Sequence, residues 1–217
     1  MYFRITIPAL KEGAKEEAMS FIKETVFPDF SGIQGLLSLT SMNAGENSVL
    51  SMAAWDSKES TSDQEEKFNA TMAAAAQFFA APPQIFEGDA VFGKVYQSIT
   101  QDEKKPGYMR LVIGMVKDKD AALANLKDNV EPIYDESNGL QITGAIYDGD
   151  TLVSWNIWDT EEDMKTASAK LQEVLDLGAQ RDLFDGDPIA YMGPVFAGKL
   201  FIDFKEKQEQ PSSDEEE

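Results

Sequence analysis

The chain contains two copies of one sequence plan, and this repeat limits its possible folds more than any other feature. A Trp-Asp pair followed by a hydroxyl residue closes an apolar run at Trp55 and again at Trp158. Four other landmarks recur in the same order, and the distance along the chain between the two copies of each of the five landmarks is 103 to 106 residues. The four begin at Tyr2 and Tyr108, Val26 and Val130, Gly35 and Gly139, and Gly93 and Gly198. Two copies are too few for a solenoid, so we expect two units of about 100 residues that pack together.

Hydrophobic periodicity predicts the same order of elements in both copies. Alternating apolar and polar residues indicate half-buried strands, and apolar stripes with helical spacing lie between the first and second strands and between the third and fourth. Pro28 is expected to end the first helix. The predicted strands are residues 2–7, 36–42, 49–55 and 90–96 in the first copy, and 108–116, 140–147, 151–158 and 195–204 in the second.

This βαββαβ order is the ferredoxin-like arrangement, an antiparallel sheet with helices on one face. The other face carries Phe3, Ile5 and Ile7 in the first copy and needs a cover, which the equivalent face of the second copy can supply. We therefore expect an α+β fold in which two tandem ferredoxin-like βαββαβ repeats pack their antiparallel sheets into one α+β barrel. The expected divisions are a first ferredoxin-like repeat at 1–100, a linker at 101–106, a second ferredoxin-like repeat at 107–204 and an acidic disordered tail at 205–217.

The chain contains neither histidine nor cysteine, which removes several kinds of chemistry. Disulfides, thiolate metal sites, cysteine nucleophiles and imidazole bases or ligands are all excluded. No phosphate-binding loop, zinc-ligand spacing or dinucleotide fingerprint is present either. We therefore expect no metal and no cofactor.

Acidic residues greatly outnumber basic ones. The 39 Asp and Glu against 19 Lys and Arg give a formal net charge of −20. Nucleic acid and anionic membranes bind to cationic surfaces, so neither is an expected partner. No apolar run is long enough to cross a bilayer, and the chain opens on a predicted strand rather than an apolar leader, so we expect a soluble, cytoplasmic protein.

The chain resembles one known family in three features: the element order, the turn that contains Gly32 and Gly35, and the third-strand Trp that is followed by a hydroxyl residue and an acid. This is the antibiotic biosynthesis monooxygenase-like family of the dimeric α+β barrel superfamily, here in a tandem-duplicated, single-chain form. The resemblance implies a cofactor-independent monooxygenase that acts on a small aromatic or quinol-type molecule. Many members carry a histidine in the second helix, and haem-degrading members carry an asparagine in the first strand. This chain lacks both, so haem chemistry is not expected.

Alternation along the third strand of the second copy places Ser154, Asn156 and Trp158 on one face, where the resemblance implies a pocket beneath the helices. A Trp offers a flat apolar wall, Asn and Ser can orient an oxygen-bearing ring, and Arg or Tyr can bind or protonate its oxygen. We expect any activity in the second copy, because Asn156 stands where the first copy has Ala53. The candidate pocket-lining residues are Trp158, Asn156, Ser154, Tyr108, Arg110, Trp55, Ser51 and Arg4.

Each candidate also has a purely structural interpretation. A Trp at a strand end commonly packs in a core, and an Arg on a strand commonly pairs with an acid. Two functional hypotheses therefore stay open: a cofactor-independent monooxygenase with a small aromatic substrate, and a non-catalytic barrel that binds a ligand or partner. The expected assembly is a monomeric pseudo-dimer or an assembly of whole pseudo-dimers.

Residues 205–217 contain no apolar side chain that could pack against the barrel. Burial therefore cannot offset the entropy lost on ordering this segment. We predict that deletion of residues 205–217 leaves the melting temperature nearly unchanged in differential scanning calorimetry. A clear loss of stability on truncation would instead show that the segment docks on the folded protein.

Overall fold

The computed structural model describes residues 1–97, 107–180 and 182–202. The expected linker, 101–106, and the expected tail, 205–217, lie outside the described residues. The strands are β1 Tyr2–Ile7, β2 Leu36–Asn43, β3 Val49–Trp55, β4 Gln84–Val95, β5 Tyr108–Met115, β6 Leu140–Asp148, β7 Thr151–Trp158 and β8 Ile189–Leu200. These strands pair antiparallel and form a closed barrel in the order β1-β3-β2-β8-β5-β7-β6-β4.

Helices pack on the outer face of the barrel. They are α1 Lys15–Phe21, α2 Phe27–Phe30, α3 Lys58–Ser62, α4 Glu65–Ala75, α5 Lys119–Asn125, α6 Glu131–Asp135 and α7 Glu161–Gln180. We call β1–β4 with α1–α4 the first half, and β5–β8 with α5–α7 the second half. The α+β barrel of two βαββαβ halves that the sequence predicts is confirmed. Within the described residues, no helix is both long and apolar enough to span a membrane.

The last strand of each half forms hydrogen bonds with both halves. β4 is 12 residues long; its residues 84–89 pair with β1 of the same half, and its residues 90–95 pair with β6 of the other half. β8 repeats this arrangement, because residues 189–194 pair with β5 and residues 195–200 pair with β2. These two strands close the barrel and leave it without an unpaired edge.

A glycine lies close to the point where each long strand changes partners. A Cβ atom at Gly88 would collide with the carbonyl oxygen of Tyr147 on β6, and a Cβ atom at Gly193 would collide with the carbonyl oxygen of Asn43 on β2. Glycine therefore permits the close approach of two backbones where the halves meet.

Apolar side chains from both halves fill the barrel interior. Phe3, Ile5 and Ile7 of β1 pack in one buried cluster with side chains of β5 and β7. The ring centroids of Phe3 and Trp155 lie 4.5 Å apart across the interior. Gly144 makes room for the Trp155 ring, which a Cβ atom at that position would meet. Each half thus supplies the cover that the other half's sheet needs, as the sequence predicts.

The closing strands begin earlier than the hydrophobic pattern predicts. β4 starts at Gln84 rather than residue 90, and β8 starts at Ile189 rather than residue 195. Most of the additional residues are exposed or half-buried, so they lack the alternation of buried and exposed positions that marks a half-buried strand. They are extended because they pair with β1 and β5, which is a tertiary effect on the backbone.

Pro28 does not end the first helix, contrary to expectation. α1 continues into a π-helical turn at Ile22–Val26, and α2 follows with Pro28 in its first turn. Proline is tolerated there because the first turn of a helix does not need the backbone N–H that proline lacks. The second half repeats this device with a π-helical turn at Leu126–Val130 and Pro132 at the start of α6. The two halves therefore share local backbone irregularities as well as element order.

We predict that Gly88→Ala lowers the free energy of unfolding by about 1–3 kcal/mol, because the added methyl group collides with the backbone of β6. Gly93→Ala is the matched control on the same strand, since its Cβ would lie at an ordinary 3.6 Å from the nearest atom, the carbonyl oxygen of Thr143. Urea denaturation of the full chain measures both changes. Equal stability of the two variants would contradict the role given to Gly88.

Candidate functional site

The outer face of the first half contains a cavity of about 100 Å³ between the sheet and the helices. We call this the first cavity. Outward-facing residues of β1 and β3 form its floor, and side chains of the first-half helices form its walls. Aromatic residues supply much of the lining, namely Phe21, Phe30, Trp55, Phe68, Phe78 and Phe79.

Strand alternation and one small residue create the floor of the first cavity. Arg4 and Thr6 on β1 and Ser51 on β3 line the cavity, whereas the residues between them face the barrel interior. Ala53 lies opposite Arg4 in the β1–β3 register. Its methyl side chain leaves space above the sheet that a larger residue would fill.

Trp55 brings an unpaired hydrogen-bond donor to this cavity. The residue is 2% exposed, and its indole Nε1 has no hydrogen-bond partner among the described residues. A buried N–H that stays unpaired costs about 1–3 kcal/mol of stability. Trp55 is also one of the residues that line the cavity, so this unpaired donor belongs to a side chain that a bound molecule would contact.

Arg4 lines the first cavity with its charge already compensated. Its Nε donates to Oε1 of Glu87, and its Nη2 donates to Oε2 of Glu65 at 2.8 Å. Burial lowers the pKa of Arg4, but the hydrogen bonds and charges of Glu65 and Glu87 outweigh burial, and the net shift is upward. The guanidinium carbon also lies 4.1 Å from the centroid of the Phe68 ring. Arg4 is therefore held rigidly, and its two acids disfavour an anionic ligand.

The remaining polar groups at the first cavity are neutral. The hydroxyl groups of Ser51 and Ser41 share a hydrogen bond of 2.8 Å. No Asp, Glu or Lys is among the residues that line the cavity in the described part of the chain. The other neutral polar residues of the lining are Thr6, Thr61, Gln64 and Thr71.

The second half contains a smaller cavity of about 50 Å³ at the equivalent place, which we call the second cavity. Arg110, Asn125, Tyr134 and Ser154 are the polar residues that line it, and apolar side chains of α5, α7 and the sheet complete it. Both cavities also contact a π-helical turn, a backbone feature that often marks functional sites.

Asn156 occupies part of the space that stays open in the first half. In the β5–β7 register it lies opposite Arg110, as Ala53 lies opposite Arg4. It is 1% exposed, and its Nδ2 donates to the hydroxyl oxygen of Tyr134 at 2.6 Å and to Oγ1 of Thr143 at 3.0 Å. The amide thus binds neighbouring strands and α6, and it is not among the residues that line the second cavity.

The structure distributes the eight candidate residues over three environments. Arg4, Ser51 and Trp55 line the first cavity, and Arg110 and Ser154 line the second. Trp158, Asn156 and Tyr108 line neither cavity; Trp158 and Tyr108 pack in a cluster with α6 and α7.

The larger cavity lies in the first half, whereas Asn156 led us to expect the pocket in the second half. The physical reason is volume, because a buried amide fills space that alanine leaves open. Phe68 lines the first cavity and was not among the candidates, although it belongs to the apolar stripe of the second predicted helix. Tyr134 lines the second cavity and was not among the candidates either.

No protein-family model matches the sequence, and no curated protein matches it. Solved structures do match. A presumed monooxygenase from Fusobacterium nucleatum has a TM-score of 0.74 at 12% identity, with 94% of this chain and 97% of that chain covered. A presumed monooxygenase from Lactobacillus acidophilus has a TM-score of 0.67 at 11% identity, with 94% and 97% covered. An anthrone oxidase-like protein has a TM-score of 0.66 at 14% identity, with 92% of both chains covered.

The chain therefore has the same fold as these monooxygenase-like structures, and the fold expected from the resemblance is confirmed. At these identities the likeness shows the fold alone.

Haem, which the resemblance implies for some members, does not fit the residues of this chain. Histidine and cysteine, the commonest axial ligands, are missing from the sequence. The cavities of about 100 and 50 Å³ are smaller than the roughly 150 Å³ cavity that holds one benzene ring. A tetrapyrrole needs several times that space.

We predict that Asn156→Ala lowers the free energy of unfolding by roughly 1–3 kcal/mol, because it leaves buried polar groups of Tyr134 and Thr143 without their donor. Gln172→Ala is the control, since this amide is exposed on α7 and its loss changes stability by less than about 0.5 kcal/mol. Urea denaturation measures both. An unchanged Asn156→Ala protein would contradict a structural role for the amide.

Proposed function

We propose that the protein is a monooxygenase-like enzyme that binds a small, neutral phenol- or quinol-type molecule in the first cavity and promotes its oxidation by O₂ without metal or flavin. The observation that carries the proposal is that Trp55, whose buried Nε1–H has no hydrogen-bond partner among the described residues, is one of the residues that line an aromatic cavity. An oxygen-bearing ring satisfies both features, because its face packs on apolar side chains and its oxygen accepts the indole hydrogen bond.

The volume of the cavity limits the size of the molecule. At about 100 Å³, the first cavity is smaller than the roughly 150 Å³ that holds a benzene ring, so a single aromatic ring is the largest ligand it can take and requires a small outward shift of the walls. Because the walls are side chains of short helices joined by a π-helical turn, small shifts of these helices can adjust the cavity to ring substituents.

The charges around Arg4 select a neutral molecule. The guanidinium group is compensated by Glu65 and Glu87, so an incoming carboxylate or sulfate would meet excess negative charge. Tyr2 does not alter this balance at neutral pH. Burial and the neighbouring Glu87 raise the pKa of Tyr2 to about 12, so its hydroxyl group stays protonated and donates to Glu87 at 3.3 Å.

The proposed reaction takes all its electrons from the substrate. For a phenol, the ring carbon para to the hydroxyl group loses its hydrogen and becomes a carbonyl. One oxygen atom of O₂ enters the quinone product, and the other leaves as water. Negative charge builds up on the phenolic oxygen as its proton leaves, and a positioned N–H such as that of Trp55 stabilises this charge more than it stabilises the ground state.

A second candidate function is binding without catalysis. It is favoured by the lining itself, which contains no carboxylate or lysine among the described residues and therefore no general base in contact with the ligand. The two functions share one site and differ in whether O₂ is consumed.

We further propose that the chain acts in the cytoplasm. We also propose that it is a monomeric pseudo-dimer, because each half already covers the other's sheet.

We predict that phenol or hydroquinone quenches tryptophan fluorescence of the full chain in a saturable manner, and that Trp55→Phe weakens this binding about tenfold. The loss follows from removing one hydrogen bond worth about 1.4 kcal/mol in a buried site. Trp158→Phe is the matched control, since Trp158 also has a buried unpaired Nε1 but lines neither cavity. Three-ring anthrone should bind more weakly than the single-ring compounds because of its size.

An oxygen electrode separates the two functions. Oxygen uptake with quinone formation that is lost in Trp55→Phe supports the enzyme, whereas saturable binding without uptake supports the non-catalytic barrel. Equal losses of binding in Trp55→Phe and Trp158→Phe, or none in either, would contradict the placement of the site in the first cavity.

A further inference from the structure

The second cavity contains a buried cation without a counter-ion. Arg110 is 4% exposed, yet it forms no ion pair and no hydrogen bond with another side chain of the described residues. A guanidinium group stays charged under all ordinary conditions, so this charge lies in an apolar environment without compensation. Buried charges in folded proteins are nearly always paired, and an unpaired one calls for a partner that the chain itself does not supply.

The equivalent arginine of the first half shows what is missing. In the β1–β4 register Arg4 lies opposite Glu87, an acid, whereas in the β5–β8 register Arg110 lies opposite Met192, which carries no charge. The second acid of the first half, Glu65, has no counterpart that bonds to Arg110. The two halves therefore keep the arginine at the same place in the fold but differ in whether the protein neutralises it.

Tyr134 does not act as the missing counter-ion. Burial raises the pKa of Tyr134, and this effect outweighs the opposing effects of Arg110 and the hydrogen bond from Asn156. The phenol is therefore neutral at physiological pH. Burial also lowers the pKa of Arg110, with only a small opposing effect of Tyr134, which is the signature of a charge that lacks an acid.

Hydroxyl and amide groups line the same cavity as the guanidinium group. Ser154 and Tyr134 offer hydroxyl groups, and Asn125 accepts from Asn129 at 2.9 Å through its Oδ1, which leaves its amide hydrogens as donors. At about 50 Å³, the space holds only a few heavy atoms. The rest of the lining is apolar, including Val112, Leu126, Leu152, Leu171, Val174 and Phe184.

We propose that the second cavity binds a small planar monoanion of the carboxylate or nitrate type, whose oxygen atoms pair with the guanidinium group of Arg110 and with neighbouring hydroxyl or amide donors. A planar anion with two or three oxygens matches the fork of guanidinium N–H groups, and its single charge completes the neutralisation. This site is independent of the function proposed for the first cavity, because it uses a different arginine in the other half.

The test measures thermal stability and heat of binding of the full chain with formate and nitrate, at constant ionic strength set by gluconate, which is too large for the cavity. Both anions should raise the melting temperature in a saturable manner. Formamide, the uncharged analogue of formate, and benzoate, which exceeds the cavity, should not. A melting temperature that does not respond to formate and nitrate would overturn the proposal.

Variants connect the response to Arg110. Arg110→Met should abolish the anion response and raise the melting temperature without anion, because it removes an uncompensated buried charge. Arg110→Lys keeps the charge and should retain the response with affinity reduced tenfold or more, since lysine lacks the planar fork. Arg4→Met in the first half should leave the anion response intact. A response that persists in Arg110→Met, or disappears equally in Arg4→Met, would show that the anion binds elsewhere.

Discussion

The hydrogen-bonding of β4 and β8 to both halves is the constraint on which the rest of the structure depends. Each strand is long enough to complete its own half's sheet and then to continue as the neighbour of a strand from the other half. The continuous backbone of β4 and of β8, together with their hydrogen bonds, therefore joins the sheets of the two halves at both places where they meet. Barrel closure follows, and with it the burial of the interior faces that neither half could cover alone.

Barrel closure also decides where ligands can bind. Large side chains from both halves pack in the interior, including the Phe3–Trp155 contact, and neither of the two cavities described lies there. The outer faces are covered by helices, and a π-helical turn interrupts the helical segment between the first and second strands of each half. Both cavities lie under these helices, at equivalent places in the two halves.

The two equivalent places in the halves differ at few residues. Ala53 opens the first cavity, and Asn156 at the matching position fills part of the second half. Glu87 compensates the arginine of the first half, whereas the matching Met192 leaves the arginine of the second half uncompensated. One fold thus contains a larger cavity, which we propose for a neutral ring, and a smaller cavity, which we propose for an anion.

The repeat and the βαββαβ order could be predicted from the sequence alone. The interior position of Phe3 and the outward direction of Ser51 and Trp55 could be predicted as well, because the alternation of side chains along a strand depends only on local geometry. Cavity volume and charge balance were decided by the tertiary structure. Three such features involve residues that are distant in the chain: the start of β4 at Gln84, the position of Ala53 opposite Arg4, and the ion pair of Arg4 with Glu87. The hydrophobic pattern limits a strand to registers that bury its apolar face, but which distant strand becomes its neighbour depends on how the whole barrel packs.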